Sequence, residues 1–221
     1  MCKERKRELL ELYASARQLA LLHDRAEVEW QAALEPGRFD EQTLLREGAW
    51  VIMTSGFQEK VIRKVFGGIC AAFFWWRSAE EIVRCKEECQ ARAYLSFRNR
   101  RKIDAIWRMA ETVNNHGFDL IRERILADPI VELKKFRMIG DITSYHLAKN
   151  LGFDVAKPDR HLARLATRFG FKNVQSLCET IAEVTGDRVG VVDLILWRSS
   201  SLGQIARSAG GRSSRAADLE L

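Results

Sequence analysis

The chain is almost never interrupted. Only three prolines occur in 221 residues, Pro36, Pro129 and Pro158. Proline breaks helix interiors and is excluded from central strands, so its scarcity leaves room for long regular elements. Glycine is also modest, at 14 residues. Between these breaks, apolar residues recur at helical spacing, as in Leu9, Leu10, Leu12, Tyr13, Ala16, Leu19, Ala20 and Leu22. The expectation is an all-α protein. Hydrophobic residues make up 47% of the chain and charged residues 30%, which excludes a disordered or collagen-like chain.

The longest apolar stretch, Val65 to Trp76, is too short to span a bilayer, so no membrane partner is expected. Met1 to Arg7 is basic but lacks an apolar core and a cleavage site, so no secretory leader is expected. The five cysteines are odd in number and lack a disulfide framework, which fits a reducing, cytoplasmic, nucleoid-associated setting. Cys85 and Cys89 lie four apart, but no further Cys or His pair completes a metal site. No metal and no cofactor are therefore expected. The formal charge of +6 is a weak pull towards a polyanionic partner.

Helices are predicted over Lys3–Asp24 and Ala26–Leu34, stopping at Glu35-Pro36-Gly37. Asp40 caps the next, which Ser55-Gly56 ends. Gln58–Trp76 reads as one apolar helix buried at the domain centre, with Gly67-Gly68 bending it. Ser78-Ala79-Glu80-Glu81 reads as a capping box. The densest basic cluster follows at Arg98, Arg100, Arg101 and Lys102. Further helices follow to Gly117, over Phe118–Ala127, from Pro129 to Phe136, and later around Val174–Val184 and Val189–Trp197. This suggests an N-terminal segment 1–39 packing with the C-terminal half, a central half-domain 40–128, a second half-domain 129–198, and a flexible tail 199–221.

The region 129–169 carries the chemistry. A short helix ends at Phe136-Arg137, a turn Met138-Ile139-Gly140-Asp141 follows, and a second helix runs to Asn150, with Gly152 as its stop. A helix start after such a turn presents unpaired N–H groups and a positive dipole end to a phosphate. Nineteen residues after Gly140 stands Asp159, in Lys157-Pro158-Asp159-Arg160-His161, at another helix start.

Hairpin, second helix, short apolar link and Asp-X-His together resemble the helix–hairpin–helix DNA glycosylase superfamily. The helical order is similar over roughly residues 40–198, and the specific motif spans about 136–165. The resemblance implies two helical half-domains with a DNA and base cleft between them. It implies a monomer acting on double-stranded DNA that carries a damaged or modified base, which is flipped out of the duplex. Asp159 would be the catalytic carboxylate. Ile139, Gly140 and Ile142 would offer N–H groups to a phosphate, with Met138 and Thr143 in the same turn. Lys157, Arg160 and His161 would lie near the DNA backbone.

Three departures stand out. The usual first hairpin glycine is Met138, the preceding proline is Arg137, and the Schiff-base lysine of bifunctional members reads Ile142. Isoleucine cannot form an imine, so a monofunctional, water-using hydrolysis that leaves an abasic site is expected. The default substrate is an alkylated purine, and a hypermodified phage base is a separate option. Two alternatives stay open: a non-catalytic DNA-binding module, or a glycosylase/lyase using Lys149 or Lys157. Gln58, after the Ser55-Gly56 break, is a candidate DNA contact. Trp50, Phe57 and Tyr145 are candidates for the base pocket.

Overall fold

The computed structural model describes residues 3–201. Among them are thirteen α-helices and one short 3-10 turn, and no strand. The helices are α1 Lys3–His23, α2 Arg25–Ala33, α3 Glu41–Thr54, α4 Glu59–Ala72, α5 Ala79–Arg84, α6 Lys86–Ser96 and α7 Arg100–His116. They continue as α8 Phe118–Ala127, α9 Pro129–Leu133, α10 Asp141–Asn150, α11 Arg160–Phe169, α12 Val174–Thr185 and α13 Val189–Ser201. None is long and apolar enough to cross a membrane.

Helix starts follow the capping residues. Asp40 accepts from Thr43 N at 2.8 Å, Ser78 from Glu81 N at 3.3 Å, Asn99 from Lys102 N at 3.2 Å and Asp128 from Val131 N at 3.1 Å. Each bond satisfies a first-turn N–H that has no partner within its own helix.

The expected helix Gln58–Trp76 is corrected. The helix stops at Ala72, and Phe74, Trp75 and Trp76 turn left-handed, at φ 52°, 56° and 64°. Left-handed backbone costs about 1–2 kcal/mol for a residue with a side chain. Packing offsets it: the Trp76 ring is buried and stacks on Phe73 at 5.1 Å, and its Nε1 donates to Cys70 Sγ at 3.3 Å. Gln42 Nε2 also holds the Trp75 carbonyl at 2.8 Å. Nor is α4 buried all round. Ile62, Ile69, Cys70 and Ala72 are covered, while Val61, Gly67 and Gly68 face outward and the glycine pair sits within an unbroken helix.

The chain divides into two units by its own contacts. One is Met1–Glu29 with Asp159–Leu221, and the other is Trp30–Pro158. These bounds differ from the expected ones at residues 39 and 128. The hairpin segment belongs with the central helices because Leu133, Phe136, Ile139, Leu147, Ala148 and Leu151 share one apolar core with Leu44, Ile52, Ile62 and Ile106. In the other unit, α1 packs along α13, Tyr13 Oη donates to Asp187 at 2.7 Å, and Arg168 binds Glu8 at 2.6 Å. The expected tail starts later than Ser199, since α13 runs to Ser201; the rest of it lies outside the described residues.

Gly152 ends α10 at φ +91°, and a Cβ there would lie 2.6 Å from the Glu35 carbonyl carbon. Both the backbone angle and the close approach require glycine.

Candidate active site

The hairpin is built from the core outward. Phe136 and Ile139 are buried and anchor the turn from below. Met138 takes the left-handed backbone, at φ 67°, which is the conformation a glycine adopts without penalty. Two expected phosphate donors are already used inside the turn. Ile139 N donates to Phe136 O at 3.1 Å, and Gly140 N donates to Thr143 Oγ1 at 2.6 Å. This corrects the expectation for Ile139 and Gly140, because turn closure and helix capping consume their N–H groups. The donors without an intrahelical acceptor belong to the first turn of α10, at Asp141, Ile142 and Thr143. Lys134 pairs with Asp141 at 2.6 Å and holds its carboxyl below the ordinary range, which offsets the negative charge at that helix start. Ile142 is about half exposed, at 47%, and brings no amine to this surface.

Asp159 stands where the chain passes from the central unit into the other. Its relative exposure is 9%. One oxygen, Oδ1, accepts from His161 N at 2.8 Å and Leu162 N at 3.0 Å. Among the described residues the side chain makes no other hydrogen bond, so the second oxygen is uncommitted. The carboxylate is thus held in a fixed direction by the start of α11 with one oxygen left over. Arg160 and His161 are exposed beside it, with Arg160 Nε donating to His161 Nε2 at 3.4 Å.

In the central unit, α10 carries His146 and Lys149. His146 is held neutral: burial pushes its pKa well below 6.5, and the charges of Lys157 and Lys149 push it further down. Lys149 is itself buried, and its carbonyl accepts from Gln31 Nε2 at 3.1 Å.

Among the described residues no ring contact joins the three expected pocket aromatics to one another. Trp50 packs edge-on against Phe66 at 5.0 Å with Arg63 over its ring at 5.4 Å, and Phe57 packs edge-on against Phe97 at 5.2 Å. Tyr145 lies near Lys134 at the hairpin, and no ring contact joins it to the other two. Gln58 is exposed at the start of α4, and its amide makes no hydrogen bond among the described residues.

Two polar residues emerge only in three dimensions. Glu47 is buried on α3, where Asn150 Nδ2 donates to its Oε2 at 2.8 Å and Arg46 Nη1 donates to its Oε1 at 2.6 Å. Burial pushes its pKa up despite both partners. Lys102 is buried, and its ammonium donates to the Ile52 carbonyl and to the Ser55 carbonyl at 2.7 Å, at the end of α3. In the sequence Glu47 is only an acid one turn before Trp50, which suits a pocket acid and a surface charge equally. For Lys102 there was no signal, since the sequence shows it as one of four similar basic residues.

No family model and no curated protein matches the chain. Solved structures do. Tm1821, the 8-oxoguanine DNA glycosylase of Thermotoga maritima, is similar at 20% identity and a TM-score of 0.58, over 87% of this chain and 95% of that one. The 8-oxoguanine glycosylase/lyase of Methanocaldococcus jannaschii, solved with a 15mer DNA containing 8-oxoguanine, is similar at 17% identity and a TM-score of 0.50. That match covers 87% of this chain and 98% of the other. The all-helical fold of this chain is therefore similar to the folds of these two solved structures.

Proposed function

We propose that the chain is a DNA N-glycosylase that hydrolyses the bond between a damaged base and its sugar in duplex DNA, with Asp159 as the catalytic carboxylate. The observation that carries this reading is the Asp159 side chain itself, tied to two backbone N–H groups through Oδ1 with its other oxygen uncommitted. Loss of the base builds positive charge on the sugar, and a fixed, partly desolvated carboxylate stabilises it. The same oxygen orients or deprotonates the attacking water. The first-turn N–H groups of α10 and the exposed Arg160 and His161 serve the phosphates.

Ile142 supports a monofunctional reaction, because its side chain has no nucleophile to form an imine. Both structural neighbours are described as 8-oxoguanine enzymes, so an 8-oxoguanine duplex is the first substrate to test, followed by alkylated purines and hypermodified bases.

The test is free-base release from such duplexes by the wild type and by Asp159→Asn. Asparagine still caps a helix, so the variant removes charge while keeping the local structure. Loss of release with duplex binding retained supports the reading, and unchanged release refutes the role of Asp159. Borohydride treatment should trap no covalent protein–DNA adduct. An adduct would move the chemistry to a lysine, with Lys149 and Lys157 the first to substitute.

A further inference from the structure

Arg98, Arg100 and Arg101 are exposed within four positions at the start of α7. Several exposed arginines here pair with an acid one turn away: Arg7 with Glu11, Arg25 with Glu29, Arg77 with Glu81, Arg92 with Glu88. These three have none among the described residues. The acid at the right spacing for Arg100 and Arg101 is Asp104, but it is occupied by Arg137 at 2.8 Å and Arg108 at 3.7 Å. The first turn of α7 holds no acidic residue. The stretch is therefore a patch of uncompensated positive charge, with Arg100 over the Tyr94 ring at 5.0 Å.

Side-chain contacts join this patch to the hairpin turn and to the end of α3 in the same unit. The Arg137–Asp104 pair ties the hairpin turn to α7. Lys102 ties α7 to the end of α3, and the Phe57–Phe97 contact ties the following loop to the segment before α7. The fourth basic residue of the run, Lys102, is turned inward and acts as the tie, so only the arginines face out.

We infer that Arg98, Arg100 and Arg101 form a second phosphate-binding surface, which grips the backbone of duplex DNA at a point separate from the hairpin. It rests on the reading of the chain as a DNA-binding protein. Charge complementarity selects the partner: three planar cations with no internal acid suit a row of phosphates.

The test is equilibrium binding of the full chain to an undamaged duplex across a range of salt. Each duplex phosphate contact contributes about 0.9 to the slope of log K against log salt. Arg98→Gln, Arg100→Gln and Arg101→Gln together should lower the magnitude of that slope by about 2–3. The control triple Arg7→Gln, Arg25→Gln and Arg77→Gln removes the same net charge from paired positions and should leave the slope nearly unchanged. The single substitutions are measured as well, each expected to remove about 0.9, so that the result survives a poorly folded triple. Equal slopes for wild type and the Arg98/Arg100/Arg101 variants overturn the inference. So does an equal drop in both triples, or a drop seen only with an RNA hairpin. Wild type that binds no duplex overturns the DNA reading as well, whereas wild type that binds with unchanged variants overturns this surface alone.

Discussion

Two buried carboxylates differ in how much of their bonding capacity the fold uses. Glu47, 4% exposed, has both oxygens engaged, one by Asn150 and one by Arg46. Asp159, 9% exposed, has only one engaged, and its partners are the backbone of its own helix start. Glu47 joins α3 to α10, with one donor on each of its oxygens. Asp159 is fixed in direction with one oxygen uncommitted among the described residues. Burial alone thus does not distinguish the two carboxylates; the number of engaged oxygens does.

The comparison breaks most visibly in activity. Under the proposed mechanism, Asp159→Asn should reduce base release by about 10²–10⁴-fold with little change in melting temperature. Glu47→Ala should do the reverse. It should cost about 1–3 kcal/mol of stability, read by denaturant unfolding, because it leaves the buried Asn150 amide unpaired. Base release measured below its melting transition should survive. If Glu47→Ala abolished release in a well-folded protein, the assignment of roles would be exchanged.

The pH dependence sharpens the same contrast. Glu47 has a raised pKa, so the folded protein holds its proton more tightly than the unfolded chain does. The stability from this group is present at low pH and is lost as pH rises from the ordinary 4.5 through the folded value. Glu47→Gln should therefore gain stability relative to wild type at pH 8, with the difference shrinking on acidification, as followed by thermal melting. The smallest effect concerns the cap. Asp159→Ala should cost about 1 kcal/mol, whereas Asp159→Asn should cost almost none, since only the former removes the acceptor for the His161 and Leu162 N–H groups.

Local signals read well from the chain. The all-helical class follows from scarce proline and helical periodicity, and the caps at Asp40, Ser78 and Asp159 stand where a polar residue opens a helix. The left-handed turn at Phe74–Trp76 was not legible, because aromatic side chains normally disfavour it. Only the burial of Trp76 against Phe73 and Cys70 makes it worthwhile. The hairpin shows a mixed case. Its position was readable from Gly140 and the helix stops, but the use of the Ile139 and Gly140 N–H groups depends on the acceptors that the turn places next to them.

The basic run 98–102 makes the distinction clearest. In the sequence its four cations are equivalent. In the folded chain Lys102 is drawn inward by the free carbonyls at the end of α3, and three arginines remain outside. By itself the sequence determined the helical class, several helix starts and that an aspartate opens the helix after the hairpin link, because those outcomes depend on neighbours along the chain. Which carboxylate was consumed, which cation was buried, and which unit owned the hairpin were decided only by tertiary structure. Each depends on a partner that the chain supplies from far away, such as Asn150 for Glu47 or Ser55 for Lys102.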